Sequence, residues 1–303
     1  MSASKVCAIV VTFNGIEWIE KCLNSVAGSS IKIDLIVVDN GSTDGTIEYL
    51  DNYDKLEFLV KSDVNLGFGK ANNLGLKEGY GRGYEYFLLL NQDAWVDENV
   101  VEVLVNALQT QVDYGIASPM HYDGTGKNLD FLFSSYLSRT SSYQVDLESN
   151  SLKEKLYESP FINAACWLMR RNTLQQVGLF NPLFDHYGED DNYIHRLNNH
   201  GLKLGLHPFV KVYHDRKSGP NILKDDPFRL FRRHILWEML RSENSITLFT
   251  ALRNAVKHSN KQSKHLSSGS KVLFVLKCYI ECFRLWYQVN DFKRNREAEL
   301  YLV

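Results

Sequence analysis

The chain lacks most of the marks of a secreted, disordered or nucleic-acid-binding protein. Proline is scarce, 6 in 303 residues, and glycine is ordinary at 19, which excludes collagen-like and low-complexity architectures. The five cysteines are an odd number with no Cys-x-x-Cys pair, so neither a disulfide framework nor a zinc site is expected. No apolar run is long and charge-free enough to span a bilayer. The apolar stretch at 6–11 is too short for a signal-peptide core, and the cytoplasm is the expected compartment. A net charge of −2 argues against a general nucleic-acid binder. What remains, 44% hydrophobic and 23% charged residues, suits one large globular domain with an appendage.

The charge is unevenly placed. Residues 251–303 hold ten Lys/Arg and four Asp/Glu, a balance of +6, so the remainder carries −8. A basic segment therefore follows an acidic body.

Periodicity alternates through the first half. Apolar, β-branched runs at 6–11, 33–38, 56–60 and 84–90 read as buried strands. Between and after them, 16–26, 43–50 and 98–108 carry helical spacing. This alternation predicts an α/β fold, with a mostly parallel central sheet and helices on both faces. The stretch 120–165 reads as hairpins or an irregular insertion. A helix near 189–200, short strands near 203–213 and a helical pattern from about 224 onward follow.

In an open parallel sheet, ligands bind beyond the carboxyl ends of the strands. Three such ends are small and polar here: Thr12-Phe-Asn-Gly15, Asp39-Asn-Gly-Ser-Thr-Asp44 and Asn91-Gln-Asp-Ala94. Taken singly, each reads as a turn with a helix cap. Asp39 and Asp93 differ, because each closes a buried strand, where a lone carboxylate is unfavourable. Asp39 could accept hydrogen bonds from a ribose or a base, and Asp93 could hold a divalent metal carrying a diphosphate. Far along the chain, Glu189 and Asp190 open a helix and His214 ends a short strand. Alone, these read as favourable charge at a helix N-terminus and an ordinary histidine.

Together they form a pattern. The order Thr12-Phe-Asn14, Val37 to Asp44, Asn65-Leu-Gly-Phe-Gly69 with Ala71 to Gly75, Leu88 to Asp93, Glu189-Asp190 with Arg196, then His214 resembles the inverting family 2 glycosyltransferases of GT-A fold, most of all their rhamnosyltransferase-like branch. The resemblance covers about residues 5–220. It implies a catalytic domain over 1–220 and a helical extension over 221–303. It further implies that Thr12, Phe13 and Asn14 line the nucleotide pocket, with Asp39 on the base or ribose and Asn65, Gly67 and Asn72 beside the nucleotide. Asp93 would be a metal ligand, with Asn91 standing where many relatives have a first Asp, and His214 a further ligand. Asp190 would be the catalytic base, with Glu189, Ala164 and Trp167 on the acceptor side. Asn192 replaces a frequent acid, and His214 to Ser218 lacks the family's glycine.

The implied chemistry is a single inverting displacement. A UDP- or dTDP-linked sugar is the donor, and a hydroxyl of a glycan or lipid-linked glycan is the acceptor, in surface polysaccharide synthesis. A mixed histidine and carboxylate site suits Mn²⁺ or Mg²⁺, and a carboxylate base takes the acceptor proton. A nicotinamide dehydrogenase would need Gly-x-Gly-x-x-Gly after the first strand, and a nucleotidyltransferase a Gly-rich basic loop there; neither is present. The rival of another class is a nucleotide-sugar-binding scaffold without turnover. The helix at 272–289 leaves two readings open. It packs on the body or a second subunit, or it lies peripherally at the inner face of the membrane.

Overall fold

The computed structural model describes residues 5–185, 187–216, 226–241, 247–262 and 268–302. The expected boundary at 220/221, and Ser218, lie outside the described residues.

Four apolar strands build the first half of a nine-stranded sheet. They are β1 (Val6–Thr12), β2 (Ile33–Asp39), β3 (Leu56–Lys61) and β4 (Tyr86–Asn91), parallel and ordered β3-β2-β1-β4. Alternate residues of β1 enter opposite cores, as the period of a strand requires. Val6, Ala8 and Val10 meet α1 (Ile19–Ala27) and α4 (Val100–Thr110) on one face. Cys7 and Ile9 meet the other core, which includes Leu76 of α3 (Phe68–Gly81). The short α2 (Thr46–Asp51) follows β2.

α3 is absent from the sequence reading because its four glycines remove helical signal. Two of them serve packing. A Cβ at Gly75 would stand 2.5 Å from Ile9 Cγ2, and one at Gly79 would stand 2.9 Å from Cys7 Sγ. The helix therefore lies closer to β1 than any side chain would permit.

The sheet continues with reversed strands. β8 (Cys166–Arg170) runs antiparallel to β4 and to β6 (Tyr114–Asp123), and β9 (Lys203–His214) runs parallel to β6. Two short strands, β5 (Ala94–Val96) and β7 (Tyr157–Glu158), pair antiparallel with β9. The short strands expected near 203–213 are thus one strand with a break in register. Helices α7 (Arg171–Val177) and α8 (Glu189–Asn199) join the second core.

The expectation for 120–165 needs correction. After β6 come two helices, α5 (Phe131–Leu137) and α6 (Ser141–Glu148). Serine-rich sequence usually competes with helix by bonding to the backbone. Here Ser134, Ser135 and Ser138 donate to carbonyls three residues back, within the helical turn. Asp130 Oδ1 caps α5, accepting from the N–H groups of Leu132 and Phe133 at 3.0 and 2.9 Å.

The helical C-terminal region comprises α9 (Pro227–Arg241), α10 (Leu248–Gln262) and α11 (Ser268–Asp291), ending in a π-helical and a 3-10 turn. A third core joins α9, α10 and α11 to Phe184 of the body. The chain end also returns to the body, where Leu179 N–H donates to Leu300 O at 2.8 Å. No helix among the described residues is long and apolar enough to cross a membrane.

The close seat of α3 is testable. Gly75→Val should destabilise the fold by about 1–3 kcal/mol through overpacking against Ile9. Urea unfolding followed by circular dichroism measures it; a midpoint at or above that of the parent chain would refute this packing account.

Candidate functional site

The polar ends of β1, β2 and β4 lie along one edge of the sheet, tied by side chains. Gln92 Oε1 accepts from Thr12 Oγ1 at 2.7 Å and from Phe13 N–H at 2.8 Å, and Gln92 Nε2 donates to Phe13 O at 3.1 Å. Asn14 has φ 49°, the left-handed region that asparagine tolerates. Its Oδ1 accepts from Thr43 N–H at 2.8 Å, and its N–H donates to Ser42 Oγ at 2.9 Å. Asn14 therefore braces the loops after β1 and β2. Asp39 is fully buried; its Oδ2 accepts from Gly41 and Ser42 N–H groups, while Oδ1 is buried with no partner. Asn65 also works as a brace, its Oδ1 accepting from Asn40 Nδ2 at 3.0 Å and Gly67 N–H at 2.9 Å.

A second cluster forms where β5 meets β9. Ala94 sits opposite His214, and Asp215 N–H donates to Asp93 O at 2.8 Å. His214 Nε2 stands 3.2 Å from Asp93 Oδ1 and 3.4 Å from Asn91 Nδ2. On its other side, His214 Nδ1 faces Asp130 Oδ2 at 3.8 Å, and the same oxygen accepts from Arg216 Nε at 2.7 Å. Burial raises the Asp130 carboxyl, but Arg216, the α5 N–H groups and His214 outweigh it, and its pKa falls below the ordinary value. The structure thus brings together Asn91, Asp93 and His214, as the sequence implies. Asp130 and Arg216 complete the cluster and carried no signal in the sequence beyond a helix-capping aspartate. Among the described residues, no group of three or more His, Cys, Asp or Glu side chains converges as a metal site.

The third part is the acidic start of α8. Tyr187 (φ 65°) and Gly188 (φ 95°) turn the chain into it. Gly67, at φ 82°, abuts the same loop, since a Cβ there would stand 2.1 Å from Asp185 O. That contact, together with the left-handed backbone, accounts for the glycine. Glu189 is buried; burial and the neighbouring Asp190 push its carboxyl up to about 8. Asp190 is half-buried and accepts from Asp191 N–H at 2.9 Å. Burial and Asp191 push it up to about 6, against the backbone N–H groups, including that of Ala164, which favour its charge. Tyr136 on α5 links this part to the previous one. Burial and the Asp190 carboxylate raise its hydroxyl to about 12, against the opposing field of Arg216. Asp190, Arg216 and Asp130 therefore all lie within electrostatic reach of one phenol.

Of the implied contact residues, Ala164, Trp167 and Asn72 are packed inside. Trp167 is wholly buried, donates to Ile162 O at 3.1 Å and stacks on Phe180; it is part of the core rather than a surface facing an acceptor, because β8 is an interior strand. Asn72 is buried in α3, with Nδ2 bonded to Phe68 O at 3.0 Å. Arg196 anchors α8, bonding the carbonyls of Val177 and Leu179. Phe13 is exposed at the sheet edge.

The family model for "Glycosyl transferase family 2" matches residues 7–178, more than half of the chain. The chain belongs to glycosyl transferase family 2. The glycosyltransferase GlyA of Streptococcus pneumoniae is 24% identical over 198 residues, 63% of this chain but 27% of GlyA. This chain thus spans about a quarter of that relative's length. The dTDP-rhamnosyl transferase RfbF of Shigella flexneri is 22% identical over 84% of this chain and 85% of its own. Among solved structures, S. aureus TarS 1-349 in complex with UDP-GlcNAc superposes with TM-score 0.61 at 15% identity, covering 96% of this chain and 91% of that one. The Pyrobaculum calidifontis mannosyltransferase PcManGT in complex with GDP-Man and Mn²⁺ gives TM-score 0.59 at 16% identity, covering 97% and 89%. The fold is of the GT-A type, with a C-terminal helical region, as the family resemblance implies.

The raised carboxyls set a pH dependence. Below about pH 4 both groups are protonated in folded and unfolded chains. Between there and about pH 8 the folded chain keeps protons the unfolded chain has released, so stability falls as pH rises through that window. Glu189→Gln removes one of the two titrations. The variant should lose less stability than the parent between about pH 5 and 8, by on the order of 1 kcal/mol, in urea titrations at a series of pH values. Parallel curves for the two proteins would show that Glu189 is not so perturbed.

Proposed function

We propose that this family 2 protein is an inverting glycosyltransferase that moves a sugar from a nucleotide-diphosphate sugar to a hydroxyl group. The observation that carries this reading is the cluster where β4 and β5 meet β9, with the Asp93 carboxylate 3.2 Å and the Asn91 amide 3.4 Å from His214 Nε2 and the Asp130–Arg216 pair on the imidazole's other side. This cluster suits a leaving diphosphate, and Asp190, at the start of α8, is an acidic group raised toward neutrality.

In this reading Asp190 is the base. A carboxylate with a pKa of about 6 is ionised at neutral pH and still accepts a proton readily. It takes the acceptor hydroxyl's proton as that oxygen attacks the anomeric carbon, the bond to the diphosphate breaks from the opposite face, and the centre inverts. Glu189, raised to about 8, is mostly neutral at the same pH and does not compete as a base. The unpartnered Asp39 Oδ1 suits a donor's base N–H or ribose hydroxyl. Thr12, Phe13, Asn14, Asn65 and Gly67 shape the edge around it.

Asp93 Oδ1 and His214 Nε2, 3.2 Å apart, fit two ligands of a divalent cation. Their oxygen and imidazole donors suit Mn²⁺ or Mg²⁺. A bound cation would supply charge stabilisation to the departing diphosphate. The rhamnosyltransferase-like motifs, with RfbF as a dTDP-rhamnosyl relative, favour a UDP- or dTDP-linked donor. A glycan or lipid-linked glycan acceptor at the inner face of the membrane completes the proposal.

Asp190→Asn should lower transfer by about 10²–10⁴-fold and leave donor binding intact. A variant retaining more than half of the parent's transfer rate would remove Asp190 from this role. Donor binding by the parent chain without any turnover would favour a non-catalytic nucleotide-sugar scaffold.

The cation has its own test, read by melting rather than activity. A nucleotide sugar with Mn²⁺ at a hundred times its dissociation constant should add about 2.7 kcal/mol to stability. In Asp93→Ala this gain should shrink sharply, while the gain from the free nucleoside persists. Equal losses for both ligands would make Asp93 structural.

A further inference from the structure

α11 is apolar on two sides. Its inner side, with Cys278, Cys282, Leu285 and Val289, closes the third core. Its outer side carries Val272, Leu273, Leu276, Ile280, Phe283 and Tyr287, each more than half exposed. At 3.6 residues per turn these positions stack along one face, and no described element covers them. Six large apolar side chains on one face differ from the singly scattered ones of an ordinary surface.

One border of the stripe carries two basic residues, Lys277 over the Phe228 ring at 4.0 Å and Arg284 at 3.8 Å from Glu281. Lys277 and Arg284 are exposed and lie seven residues apart, two turns along the same flank. Arg284 also lines a cavity of ≈ 800 Å³ between α9, α11 and the Asn65–Gly67 loop, where Arg229, Arg232 and Arg233 join it.

Two occupants compete for the stripe, a second copy of the chain and a lipid surface. The stripe is centred near residue 280. An antiparallel two-fold contact through it would therefore set Lys277 of one copy beside Arg284 of the other, a repulsive pairing. Its size is also small. A stripe of about 24 Å by 10 Å offers roughly 240 Å², against about 800 Å² per partner in a stable interface. An anionic bilayer meets neither objection, since it needs no matching patch of protein-interface size and attracts the basic border.

We propose that the outer face of α11 docks on an anionic phospholipid surface. Its apolar stripe sits at the boundary of headgroups and acyl chains, and Lys277 and Arg284 lie among the phosphates. Docking of this kind does not depend on sugar transfer.

The test is co-sedimentation of the full chain with vesicles of phosphatidylcholine and phosphatidylglycerol (3:1) or of phosphatidylcholine alone. The parent chain should pellet with the anionic vesicles at low salt and at least tenfold less with the neutral ones. Binding should weaken as added salt shortens the screening length. The triple variant Leu276→Glu, Ile280→Glu, Phe283→Glu should bind at least tenfold less while keeping its melting midpoint, because all three side chains are more than half exposed and outside the third core. Should that variant fold poorly, the milder pair Lys277→Glu, Arg284→Glu gives the same readout. The proposal is overturned if the parent chain pellets with neither vesicle, if it pellets equally with both, or if folded variants bind as the parent does. It is also overturned if light scattering shows a dimer that the triple variant abolishes, which would assign the face to a second copy.

Discussion

Asp93 and His214 meet because β9 keeps β6 on one edge and, part-way along its length, exchanges β7 for β5 on the other. Its first half pairs in parallel with β6, with Pro119 opposite His207; the register then jumps so that Met120 lies opposite Lys211. Pro208 lies in the jump and has no N–H to give to a ladder. Beyond it, β9 stays parallel to β6 and takes β5 as an antiparallel partner on its other edge, with Ala94 opposite His214. Asp93 is the residue just before, so its carboxylate comes to lie against the imidazole. From there the order propagates outward. His214 faces Asp130, Asp130 caps α5, and α5 carries Tyr136 into the field of Asp190. A one-residue slip in the second half of β9 would turn His214 to the opposite face and dissolve the cluster.

The acidic pair at the start of α8 shows how position separates two similar groups. A helix N-terminus favours negative charge by about 0.3–1 kcal/mol at exposed sites. Burial outweighs that here, and both carboxyls rise. Glu189 is the deeper of the two, packed against α3 where Gly69 lets the helix close on its side chain. Asp190 keeps backbone donors that favour its charge, and it rises less. Neighbouring carboxyls with separated pKa values can divide the acid and base tasks of a site.

Much of this architecture is legible in the residues. The strands β1, β2 and β4 are short, buried and β-branched or leucine-rich, and their polar endings mark the edge where Asp39, Asn91 and Asp93 stand. Three kinds of information are hidden. Glycine-rich α3 is a helix for packing reasons, through Gly75 and Gly79, which propensity does not report. α5 is held by a cap whose aspartate also answers to Arg216 and His214, residues some ninety positions later. Whether a motif residue contacts a ligand or braces its neighbours is also not written locally. Asn14, Asn65 and Asn72 spend their side chains on nearby backbone groups and, for Asn65, on Asn40, and Trp167 fills the core, although the motif pattern sets all four beside ligands.

The C-terminal helices are tied to the acidic loop, and magnitudes show by what. Asp185 pairs with Lys70 of α3 and with Arg232 of α9, and Arg232 also bonds Glu281 of α11 at 2.9 Å. These pairs trace a path from the loop to the outermost helix. Yet Asp185 is 57% exposed, and exposed ion pairs contribute only about 0–1 kcal/mol each. Phe184, the preceding residue, is 3% exposed among Phe231, Ile235 and Cys278. Burying such a ring stabilises by about 1.5–3 kcal/mol. The hydrophobic anchor therefore holds α9 against the loop, and the ion pairs fix its angle. Phe184 lies six residues before Asp190, so the third core and the proposed base share one short segment. The helical region is in this sense a wall of the site, and the exposed stripe of α11 belongs to the same rigid wall.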